Sequence, residues 1–121
     1  MSVNRRSLLV ATGALLLFRA VEARSGRSTA ERLRTLISDV GAARRLGRDY
    51  LRQVPEEFDE GILVQAIFGE IPRLEAMSDT ALRDQLEQRI QRDFDSFRTV
   101  DALGWTVALT EARACALISL V

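Results

Sequence analysis

Between residues 29 and 94 apolar side chains return every third or fourth position, and that spacing commits the chain to packed helices. Leu33, Leu36, Ile37 and Val40 form the first stripe, continued by Ala43, Leu46, Tyr50 and Leu51. Ser28-Thr29-Ala30-Glu31 has capping-box spacing: the Ser28 hydroxyl can accept from the Glu31 amide while Glu31 accepts from the Ser28 amide. Gly41 is expected to break the stripe, giving helices over residues 29 to 39 and 41 to 53, and Pro55 stops the second. Ile62, Leu63, Ala66 and Ile67 predict a short third helix, closed by Gly69 and followed by Pro72. Ser78 is placed to cap a fourth, with Leu82, Leu86, Ile90 and Phe94 on its core side and Arg89 among the residues on its solvated faces.

After Phe97 the period changes. Arg98-Thr99-Val100-Asp101 and Trp105-Thr106-Val107-Ala108 alternate, and Ala102-Leu103-Gly104 joins them, which predicts a β-hairpin. A lone hairpin is marginal in water, so Trp105 and Val107 should lie on the helices. Thr110 is expected to cap a last helix over Glu111 to Leu120. The fold class is therefore mainly α: a small bundle of about five helices with one short hairpin near the C-terminus.

Composition excludes much chemistry. The 121 residues include no histidine and one cysteine. Zinc, haem, iron-sulfur and copper sites draw on clusters of those residues, and Ser-His or Cys-His nucleophile pairs need an imidazole. No cofactor or metal site is expected in the chain itself. Cys115 cannot form an internal disulfide and is expected to be buried and inert.

The N-terminus gives an address. Arg5 and Arg6 open an apolar run from Leu8 to Phe18, which gives way to Arg19-Ala20-Val21-Glu22-Ala23, where small residues suit a signal peptidase. The segment Asn4-Arg5-Arg6-Ser7-Leu8-Leu9 resembles the twin-arginine export signal, with Arg5, Arg6, Leu8 and Leu9 as the residues the translocase would recognise. Arg19 resembles the basic residue that keeps such signals away from the general secretory channel. A spanning helix needs about 20 apolar residues, so cleavage after Ala23 is expected, and an uncleaved segment would instead tether the domain to the membrane. The resemblance implies a periplasmic protein that meets the membrane only during export. Residues 24 to 121 then form one small helical domain. Arg5, Arg6, Arg19 and Glu22 leave with the signal, and 14 arginines face 16 acidic residues in the remainder, so no nucleic-acid partner is implied.

Three constellations could carry chemistry. Asp93, Asp95 and Asp101 near Trp105 are candidates for acid and base, since paired carboxylates work when their surroundings separate their pKa values. Glu56, Glu57, Asp59 and Glu60 form an acidic run that lacks the alternating ligand spacing of a calcium loop; carboxylates there are expected to serve a helix N-terminus. Tyr50, Phe68, Phe94, Phe97 and Trp105 are the aromatics from which a ligand pocket would have to be built.

The tail Gly104-Trp105-Thr106-Val107, then Thr110-Glu111-Ala112-Arg113-Ala114-Cys115-Ala116-Leu117, resembles the ending of small exported bacterial proteins with twin-arginine signals. In overall plan the chain is similar to the small subunits of exported flavin-dependent sugar and polyol dehydrogenases. That resemblance implies a non-catalytic accessory subunit or export escort of a larger, cofactor-containing enzyme. The competing reading is a stand-alone ligand-binding protein or a small carboxylate-using protein. For an accessory subunit an exposed apolar joint is needed, and Ala116-Leu117-Ile118-Ser119-Leu120-Val121 could supply it or fill the core.

Overall fold

The computed structural model describes residues 28–121, which form five helices and one antiparallel hairpin, the architecture expected from the periodicity. In chain order these are α1 (Thr29–Thr35), α2 (Val40–Gln53), α3 (Glu60–Phe68), α4 (Asp79–Asp95), β1 (Thr99–Ala102), β2 (Trp105–Ala108) and α5 (Leu109–Ser119). Short 3-10 turns, Pro55–Glu57 and Leu74–Ala76, lead into α3 and α4.

Helix α5 is the axis, touched by all four other helices and both strands. Its sequence is apolar nearly all round, which suits a helix with no wet face, and Ala112, Ala114, Cys115, Ala116, Leu117 and Ile118 are all buried. Of the tail 116–121, residues 116–118 fill the core, while Ser119 and Leu120 are half-buried and Val121 is exposed. Small residues let a neighbour approach closely: a Cβ on Gly47 of α2 would lie 2.2 Å from the Cys115 carbonyl oxygen. Around this crossing pack Leu33, Leu46, Tyr50, Leu63, Ile67, Leu82 and Leu86.

The expected capping box at α1 is present in full, and Ser78 caps α4 by accepting from the Ala81 amide. Two helix starts differ from expectation. The first break falls over residues 36 to 39, where Asp39 caps α2 by accepting from the Ala42 amide, and Gly41, expected to break the stripe, lies within the first turn of that helix. A carboxylate that satisfies an orphan amide outweighs the conformational freedom of one glycine. At the other end α5 begins at Leu109 with Ala108 as its cap residue, so Thr110 lies within the helix and does not cap it.

The hairpin pairs Val100 with Val107 and Ala102 with Trp105, and all four pack on the helices. Its connection is two residues, Leu103-Gly104, shorter than expected, with φ of 53° and 82°. Positive φ at both positions matches the twist of the strands. Asp49 accepts from the Leu103 amide and Gln53 donates to the Asp101 carbonyl, so α2 holds the turn in place.

One buried ion pair closes the other side. Arg32 donates through Nε to Asp79 Oδ1 at 2.9 Å and through its two terminal nitrogens to the Leu74 and Met77 carbonyls. A buried guanidinium is tolerable when its donors are matched in this way. Arg32 thereby fixes α1 against the start of α4.

Candidate functional site

The residues proposed for signal recognition, Arg5, Arg6, Leu8 and Leu9, lie outside the described residues. Among the described residues no helix is long and apolar enough to cross a membrane.

The structure does not bring the three aspartates into one site. Asp93 is buried, accepting from the Thr110 amide through Oδ2 at 2.7 Å and from Arg98 through Oδ1 at 3.0 Å. Asp95 is exposed and accepts from Gln91 of its own helix. Asp101 lies on the wet face of the hairpin, where it accepts from the Thr106 hydroxyl. Each carboxylate is engaged in holding local structure, and Trp105 packs on the core instead of roofing them.

The acidic run is likewise spread over separate contacts. Asp59 caps α3 by accepting from the Ile62 amide, and Glu60 enters the first turn, as the helix dipole favours. Glu57 is the most constrained: it accepts the Tyr50 hydroxyl at 2.8 Å and pairs bidentately with Arg113 at 2.8 and 3.1 Å. Burial raises the Glu57 pKa, but the Arg113 and Tyr50 hydrogen bonds outweigh it and hold the carboxyl below its ordinary value. Burial, followed by the hydrogen bond to Glu57, pushes the Tyr50 hydroxyl up to about 12. Such a cluster pins the Pro55–Glu57 turn onto α2 and α5. Groups of three or more residues able to hold a metal ion are absent among the described residues.

Cys115 is 1% exposed; burial, then the Glu111 carboxylate, pushes its thiol far above the usual range. A protonated, enclosed thiol is a packing group. The five aromatics do not form one pocket. Tyr50 and Phe68 are buried, Phe94 and Trp105 are half-buried, and Phe97 is 88% exposed with φ 59°. Phe97 fills a position that favours glycine: its amide donates to the Phe94 carbonyl and the Arg98 amide to the Asp93 carbonyl, which closes α4 in a Schellman turn.

The concave feature the periodicity did not show is a half-open groove of about 350 Å³ between α2, the segment before α3 and the end of α5. Leu51, Phe58 and Leu120 form its apolar surface, and Arg48, Arg52 and Ser119 complete it. Phe58 remains 65% exposed and Ile62, one turn on, is 48% exposed. Arg52 pairs with Asp49 at 2.8 Å, and this contact, with the Leu103 amide, holds the Asp49 carboxyl below its ordinary value despite slight burial. A signal in the sequence pointed here: Phe58 is an aromatic inside an acidic run, off the stripe that buries Leu63 and Ile67.

Comparison with protein-family models, with curated proteins and with solved structures gives no match.

Proposed function

We propose that the chain is a non-catalytic accessory subunit or export escort of a larger, cofactor-containing oxidoreductase in the periplasm. The observation that carries this reading is Asn4-Arg5-Arg6-Ser7-Leu8-Leu9 and its apolar run, set ahead of a helical domain. A twin-arginine route serves cargo that folds in the cytoplasm, commonly around a cofactor. This chain has no histidine and one cysteine, and that cysteine is buried. Its most constrained carboxylates, Asp93, Asp79 and Glu57, are engaged with Arg98, Arg32 and Arg113. The cofactor that would account for the export route is accordingly placed in a partner, with the translocase as a second, transient partner.

A second reading, a stand-alone ligand-binding protein, is favoured by the groove beside Phe58, whose volume falls at the low end for small-molecule sites. The two separate on one experiment. The chain is affinity-tagged at its C-terminus, recovered from periplasm under mild conditions, and examined for a co-purifying protein with a flavin or haem absorbance. A stoichiometric coloured partner is expected. Recovery of the chain alone, together with a small molecule released on denaturation, would replace the accessory reading with the second.

A further inference from the structure

The two segments that wall the groove carry exposed charges of opposite sign. One wall is α2, which presents Arg44, Arg48 and Arg52 at successive turns, with Arg45 beside them. The other is the segment carrying Phe58, where Glu56 and Glu60 are exposed. Arg45, Arg48, Glu56 and Glu60 are all exposed and form no ion pair or side-chain hydrogen bond among the described residues. Between the walls Leu120 is half-buried and Leu51, almost fully buried, forms the floor, with the largely exposed Phe58 ring at the edge.

We propose that this face pairs with a second copy of itself about a two-fold axis. A self-complementary patch must carry both members of every matching pair, and this one does. The acidic side of one copy, carrying Glu56 and Glu60, meets the basic α2 ridge of the other, carrying Arg45 and Arg48. Each Phe58 enters the partner's groove against Leu51 and Leu120. A simple acidic ligand would match the α2 wall but meet repulsion from Glu56 and Glu60; a second copy satisfies both walls at once. Exposed apolar surface is covered in the same step, with Ile62 at its margin. The pairing does not rest on the accessory reading, since a dimer could stand alone or join a larger enzyme.

The test is sedimentation of the full chain, in the form the cell leaves it, over a concentration series at low and high salt. A dimer that weakens with salt is expected. Phe58→Asp should raise its dissociation constant about tenfold or more while leaving the helical circular dichroism unchanged. The deciding arm uses two charge-reversed chains: Arg45→Glu with Arg48→Glu, and Glu56→Arg with Glu60→Arg. Each alone should be monomeric, and their mixture should form a heterodimer. A wild-type monomer at every concentration, a dimer indifferent to Phe58→Asp, or a mixture that fails to pair would overturn the proposal. A monomer that instead captures a different protein through Phe58 would also overturn it and assign the groove to that partner.

Discussion

The buried Asp93 carboxylate accepts the Thr110 backbone N–H at 2.7 Å, so the end of α4 caps the start of α5 across the intervening hairpin. Its other oxygen accepts from Arg98, whose side chain is 60% exposed. Asp93→Ala should cost about 2–3 kcal/mol, because a buried amide loses its charged acceptor. Arg98→Ala should cost less, about 1 kcal/mol, because the exposed guanidinium is screened by solvent although its partner is buried. Urea unfolding of both variants checks the ratio; equal losses would mean that the ion pair, not the cap, holds the helices.

Gly47 and Gly41 lie in the same helix and should respond in opposite directions. A Cβ at Gly47 meets the Cys115 carbonyl at 2.2 Å and the Ala116 Cα at 2.7 Å, both backbone, so α2 and α5 must part. Gly47→Ala should cost about 2–3 kcal/mol, in the range of overpacked cores. At Gly41 a Cβ would find ordinary contacts at 3.7 Å, and Gly41→Ala should stabilise by up to about 1 kcal/mol through helix propensity and reduced unfolded-state freedom. Thermal melting of the two variants compares them directly.

The Tyr50–Glu57–Arg113 cluster makes stability depend on pH at both ends of the scale. The folded Glu57 pKa is depressed, so its contribution is present above the ordinary carboxylate range and lost as pH falls through the folded value. Tyr50 shifts the other way. Its folded pKa is raised from 10.0 to about 12, so its contribution is intact below 10.0 and lost as pH climbs toward the folded value. Tyr50→Phe should flatten the alkaline decline while retaining the acid limb. An unchanged alkaline limb in the variant would assign that loss to another group.

Arg89 and Ile90 are neighbours on α4 with different duties. Ile90 is 6% exposed, and Ile90→Ala should cost about 2–5 kcal/mol. Read from periodicity, Arg89 is a solvated residue of no consequence. Its guanidinium in fact donates to the Ile67 and Ala66 carbonyls at the end of α3, where orphan acceptors need partners. Arg89→Ala should therefore cost about 1–2 kcal/mol, and Arg89→Lys, which keeps charge but not the planar fork, should recover part of it. Unfolding free energies of the three variants check the order.

What the sequence disclosed was whatever local spacing encodes. Leu82, Leu86 and Ile90 recur on one face, Ser28 and Glu31 satisfy each other within one turn, and both relationships appear as expected. Residues whose partners lie far along the chain gave no such signal. Arg32 and Asp79 are 47 positions apart, Glu57 and Arg113 56 apart, and Asp93 acts on an amide beyond the hairpin. Thr110 looked like a cap because its residue type suits one; a buried carboxylate from α4 supplies the acceptor in the first turn instead. The groove joins Arg48 to Leu120 by tertiary packing alone. Two marks of that region were present in the sequence: the misplaced aromatic, Phe58, and the apolar chain end with Ser119 and Leu120.

The functional reading rests on Arg5 and Arg6, so their replacement is the most consequential test. Lysine at both positions keeps the positive charge that a general secretory signal needs. It removes the planar guanidinium groups, each with five donors, that a paired-arginine receptor could engage bidentately. Charge and recognition are thereby separated in one variant. Fractionation should find the Lys-Lys chain uncleaved in the cytoplasm, together with any cofactor-bearing partner that lacks a signal of its own. Unchanged export would defeat the twin-arginine assignment and remove the reason to look for a folded partner. Retention of the chain while every other protein keeps its location would preserve the route and defeat the escort.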